Sequence, residues 1–90
     1  MIKTVNITVY GKVQGVFYRA SAKQMADNLG IQGWVKNTSQ GNVAILATGD
    51  EFALQQFISW CKQGPSRALV TDVEINYCDT VLITGFTIIR

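Results

Sequence analysis

Apolar Val5, Ile7 and Val9 alternate with Asn6, Thr8 and Tyr10 near the start of the chain, the period of two expected of a strand with one buried face. Gly11 ends that run. The spacing then changes. Ala22, Met25, Ala26 and Leu29 recur at helical intervals, with Ser21 as the expected N-cap and Gly30 as the stop. "IQGWVKN" reads as a second strand, "TSQG" as a four-residue turn and "NVAILATG" as a third strand, together a hairpin. Asp50 is placed to cap a second helix, in which Ala53, Leu54, Phe57, Ile58 and Cys61 share one face that Trp60 widens. Gly64-Pro65 halts it. Val73, Ile75 and Tyr77 alternate again in a fourth strand, and Phe86 and Ile88 mark a short last one, apolar enough at "FTIIR" to make an exposed edge prone to association.

The order β-α-β-β-α-β plus a C-terminal extension predicts an α+β, ferredoxin-like sandwich: an antiparallel sheet with two helices packed on one face. Each helix carries a single apolar stripe, as that arrangement requires. Ninety residues, 48% hydrophobic and without linker, repeat or low-complexity stretch, predict one domain over residues 1–90. A right-handed crossover sets the first two strands parallel with the third between them. The loop after Gly11 and the strand end at Lys36-Asn37 therefore fall at the same end of the sheet. The same trace puts Cys61 near that end and Cys78 near the other, separated by about 26 Å of strand at about 3.3 Å per residue. That separation exceeds disulfide reach, so two free, buried thiols are expected.

Charge and composition narrow the chemistry. Eight basic and six acidic residues give a net charge of +2 with no dense basic block, too weak an imbalance for a nucleic-acid footprint or a membrane-binding face. "MIKTVNITVY" lacks a signal-peptide core, and no apolar run approaches the roughly 18 residues of a membrane span, so a cytoplasmic protein is expected. Histidine is absent, which removes His-activated hydrolases, most zinc enzymes and imidazole acid–base catalysis. Asp27, Asp50, Glu51, Asp72, Glu74 and Asp79 are scattered along the chain. No cofactor and no Mg²⁺ are expected.

Chemistry concentrates in "VYGKVQGVFYRASAKQ", Val9 to Gln24, where two glycines, a glutamine and one arginine stand between strand and helix. A glycine-bearing loop leading into a helix N-terminus turns several N–H groups inward, and the unpaired amides of the first turn add positive potential. Phosphate is the natural guest. Gly11 and Gly15 supply backbone freedom, and Arg19 offers a charged, two-pronged donor. The spacing matches neither GxxxxGK[ST] nor GxGxxG, and Gly15 as a plain turn with Arg19 as a solvated helix-end residue is the alternative. An arginine at the positive end of a helix dipole is nevertheless poorly placed unless an anion joins it. Asn37, by itself a turn former, comes by topology to the same end as Arg19. Two polar groups converging on an amide-lined hollow make a site hypothesis.

"GKVQGVFYR" followed by "GWVKNTSQGNV", with "GPSRALVTDVEI" and the closing "FTIIR", resembles the acylphosphatase family over nearly the whole chain. The resemblance implies a small hydrolase that cleaves the carboxyl-phosphate bond of acyl phosphates. It implies that the backbone of Gly15, Val16, Phe17, Tyr18 and Arg19 cradles the phosphate, that the Arg19 guanidinium clamps it, and that Asn37 positions the attacking water. The implied substrate is a small acyl phosphate; phosphate or sulfate is expected to compete, and a monomer without nucleic-acid or membrane partners is expected. The missing histidine fits, because the leaving carboxylate of a mixed anhydride needs no general acid.

Two other readings start from the same residues. The fold also carries RNA-binding modules, whose aromatic signature this chain lacks. A phosphate-binding sensor would keep the cradle and lose turnover; the presence of both Arg19 and Asn37 favours the enzyme.

Overall fold

The computed structural model describes residues 1–90. Val5, Ile7 and Val9 turn one face of β1 (Ile2–Lys12) into the floor of the core. After β1 come α1 (Tyr18–Leu29), β2 (Gln32–Asn37), β3 (Val43–Asp50), α2 (Glu51–Gln63), β4 (Leu69–Cys78) and β5 (Phe86–Ile89). The sheet order is β4-β1-β3-β2-β5, so β3 lies between β1 and β2 as expected. Val35 of β2 and Val43, Ile45 and Ala47 of β3 extend the floor. Ala22 and Ala26 of α1 and Leu54, Phe57, Ile58 and Cys61 of α2 close it from above. Burying each large aliphatic or aromatic side chain contributes about 1.5–3 kcal/mol. This is the expected α+β ferredoxin-like architecture.

One part of that expectation is corrected. β1 pairs antiparallel with β3 and β4, and β2 antiparallel with β3, but β5 lies parallel to β2, so the sheet is mixed. β4 ends at one edge, and residues 79–85 cross to the other edge at that same end, leaving β5 to run back in the direction of β2. The crossing is tied to the sheet face away from the helices. Val81 N donates to Thr4 Oγ1 at 2.9 Å, Thr48 Oγ1 donates to the Val81 carbonyl at 3.0 Å, and the two threonine hydroxyls meet at 2.8 Å. On the helix side Lys23 Nζ donates to the Phe86 carbonyl at 3.0 Å, fastening β5 to α1.

Three local expectations also change. α1 starts at Tyr18, with Phe17 rather than Ser21 as N-cap and no side-chain capping bond. Burial of Tyr18 draws the first turn into the core, and Ser21 N donates to the Phe17 carbonyl inside the helix. The β2–β3 connection is five residues, Thr38 to Asn42, because Thr38 N bonds the Asn42 carbonyl at 2.9 Å and holds Asn42 in the turn. Both cysteines are free, but only Cys61 is buried; Cys78 lies on an edge strand and is exposed. Trp34 is half-buried on the face away from the helices, because Val35 beside it takes the core and successive strand side chains point oppositely. Lys36 Nζ sits 5.1 Å from the centre of the Trp34 ring.

β1 runs past Gly11 to Lys12, and the remaining stops and caps stand as read. Gly30 ends α1 with φ 72°, and Asp50 caps α2 by accepting from Phe52 N at 3.1 Å. No helix is long and apolar enough to cross a membrane.

Candidate active site

Past Lys12 the chain leaves β1 and is pinned to the core by buried Val13 and Val16, while Gly15 and Phe17 stay exposed. Gly15 has φ 73°, the left-handed region that side chains resist. Phe17 has φ 65° and is the one non-glycine residue of the chain with positive φ, a conformation costing on the order of 1–3 kcal/mol. Tyr18 then enters the core, its ring 5.2 Å from that of Trp60 and its hydroxyl donating to the Cys61 carbonyl at 2.7 Å. Burial raises the pKa of that hydroxyl far above its usual range, so it remains a proton donor. Gly64 makes room for the ring: a Cβ there would stand 2.9 Å from Tyr18 Cε2.

The loop and first turn are rich in uncommitted donors. No hydrogen bond outside the regular elements is donated by a backbone amide of residues 15–20, and an α-helix gives its first-turn amides no internal acceptor. No acidic residue stands in that turn. Arg19, half-buried, takes no part in the ion pairs Met1–Asp50, Lys3–Glu51 and Lys23–Asp27. Positive charge at the positive end of a helix, without a carboxylate beside it, makes this an anion-seeking surface.

Across from the loop, Asn37 ends β2 on the same face as Val35. Its Oδ1 is buried and accepts no hydrogen bond, and a buried acceptor without a donor costs about 1–3 kcal/mol. Asn37 is brought together with Gly15, Phe17, Tyr18 and Arg19 around one hollow of about 300 Å³. Val16, grouped with them from sequence, has its side chain in the core and does not line the hollow.

Other residues at the site escaped the sequence reading. Gln14 Nε2 donates to the Thr38 carbonyl at 2.9 Å and the Asn42 carbonyl at 2.8 Å, stapling the loop to the turn that follows Asn37. Its one signal was position, a long amide side chain between Val13 and Gly15; which carbonyls it meets depends on a turn folded elsewhere. Ile88 and Arg90 also line the hollow. They arrive only because β5 runs parallel to β2, with Val35 opposite Ile88.

Fold and site together define an α+β sandwich with uncommitted amides and an unpaired arginine at one end of its sheet. Residues 5–88 match the acylphosphatase family model. An acylphosphatase of Methylococcus capsulatus is 40% identical over 90 residues, covering 99% of this chain and 98% of that protein. One from Haloquadratum walsbyi is 42% identical over 85 residues, covering 94% and 91%. The crystal structure of the Bacillus subtilis acylphosphatase superposes with a TM-score of 0.94 at 37% identity over the whole of both chains. The chain belongs to the acylphosphatase family, enzymes that hydrolyse acyl phosphates.

Proposed function

We propose that the chain hydrolyses the carboxyl-phosphate bond without a metal ion, using the amides of Gly15 to Arg19 and the Arg19 guanidinium to hold the phosphoryl group and Asn37 to position water. The observation that carries the reading is that Asn37, whose buried Oδ1 accepts no hydrogen bond, lines the same hollow as Arg19. A water held by the Asn37 side-chain amide keeps a lone pair free for phosphorus.

The step balances without an acid or base from the protein. Water oxygen forms a bond to phosphorus as the bond from phosphorus to the acyl oxygen breaks, and the carboxylate departs with the electron pair. One water proton stays on the new P–OH and the other moves to a phosphoryl oxygen, giving a carboxylate and dihydrogen phosphate. A carboxylate is stable as an anion, so the leaving group needs no proton. In a loose phosphoryl-transfer transition state, positioning and charge stabilisation dominate. Arg19 and the amides supply the charge stabilisation, and Asn37 the positioning.

The test is turnover of acetyl phosphate in EDTA by wild type, Asn37→Ala and Arg19→Gln. Asn37→Ala should keep its inhibition by phosphate and lose about a hundredfold or more in kcat, while Arg19→Gln should lose both. A wild type no faster than buffer would leave a phosphate-binding module in place of the enzyme. Equal loss of phosphate affinity in both variants would sink the division of roles.

A further inference from the structure

Phe17 is at once strained and exposed. Its φ is 65°, the residue is 68% solvent-accessible, and it belongs neither to the core nor to the side chains packed against it. Glycine would hold the same backbone shape without strain and present the same amide. Packing therefore does not account for a phenyl ring here, and backbone strain of this kind collects at ligand sites. Phe17 lines the hollow together with Ile88, which β5 delivers from the far end of the chain.

A hollow of about 300 Å³ lies at the small end of small-molecule sites, about 300–1,000 Å³, and offers more room than a bare anion uses. An acyl phosphate has two halves. The amides and Arg19 answer the phosphoryl half, and an apolar surface beside them answers the other.

We propose that Phe17 and Ile88 seat the acyl group, making this chain selective for acyl phosphates with an aromatic or bulky apolar acyl part over acetyl phosphate. This rests on the hydrolytic reading above and adds the substrate class. A ring offered at the rim pairs with an aromatic acyl group by edge or offset contact and with a branched chain by simple burial. Acetyl phosphate, with a single methyl group, has little surface to place there.

The experiment compares kcat/KM for benzoyl phosphate and acetyl phosphate in wild type, Phe17→Gly, Phe17→Leu and Ile88→Ala, with inhibition by inorganic phosphate measured alongside. In Phe17→Gly the benzoyl-to-acetyl ratio should fall about tenfold, with phosphate inhibition retained and the melting temperature unchanged or raised as strain is relieved. Phe17→Leu should recover part of the ratio, and Ile88→Ala should lower it. A ratio unmoved in Phe17→Gly and Ile88→Ala, with turnover intact, overturns the acyl seat and leaves the hydrolytic reading standing. A wild type that hydrolyses neither substrate overturns both.

Discussion

The hydroxyl of Tyr18, the first residue of α1, donates to the carbonyl of Cys61 in the last turn of α2 at 2.7 Å. The i+4 partner that would normally serve that carbonyl is Pro65, which has no N–H. Tyr18 therefore supplies the donor that the α2 terminus lacks, and in doing so fixes where α1 begins. Tyr18→Phe leaves a buried carbonyl without a partner and should cost about 1–3 kcal/mol. Urea denaturation should show a lower midpoint with an unchanged slope; an unchanged midpoint would mean that the carbonyl has found another donor.

Gln14 holds two carbonyls through one nitrogen, and Thr38, whose carbonyl is one of them, follows Asn37 directly. Gln14→Leu should let loop and turn drift apart and lower kcat about tenfold to a hundredfold, with a smaller effect on phosphate inhibition. Gln14→Glu, ionised and unable to donate, should resemble it. A pure stability loss with normal kcat would reduce Gln14 to a structural tie.

Inorganic phosphate should inhibit competitively and raise the melting temperature. At about 100 times its dissociation constant it adds about 2.7 kcal/mol to folding. The shift should vanish in Arg19→Gln if Arg19 is the charged clamp proposed above. EDTA should leave the rate of wild type untouched, and a rate that collapses in EDTA and returns with a divalent ion would overturn the metal-free mechanism.

Alkali should unfold the protein through buried acids outside the chemistry. Burial pushes the Cys61 thiol from 9.0 up to about 12 and raises the Tyr18 hydroxyl above its ordinary 10.0. In the unfolded chain both ionise at their ordinary values, so the unfolded state binds fewer protons above pH 9 and stability falls as pH rises. The contribution is fully present below about pH 9 and is lost toward pH 12, by up to about 1.4 kcal/mol per pH unit for each group. Cys61→Ala should flatten this decline between pH 9 and 11 in urea titrations at fixed temperature. An equally steep fall in that variant would show that Cys61 does not drive it.

Period-two and helical spacings were enough to order β1 to β4 and both helices, because each element buries one face and shows it in the chain. The direction of β5 was not visible, since it follows from which edge β4 ends on and from a crossing held by Thr4, Thr48 and Val81. Which of Trp34 and Val35 turns inward was not visible for a related reason: in a short strand, only the sheet decides. Ser21 misled as a cap because the burial of Tyr18, a tertiary effect, sets the start of α1. At the site, Gly15, Arg19 and Asn37 converged from topology alone. Gln14, Ile88 and Arg90 needed a turn and a parallel strand that leave no local pattern.

The sheet order also bears on how the molecule matures. Arg19 and Asn37 sit in the β1–α1–β2 half, yet β1 and β2 are not neighbours, and β3 must insert between them before their ends hold a fixed spacing. No partial fold built from that half alone can bring the pair to working distance, and the long-range pairings involved close late and slowly. Recovery of turnover after dilution from denaturant should therefore report completion of the central sheet, in step with the slowest structural phase.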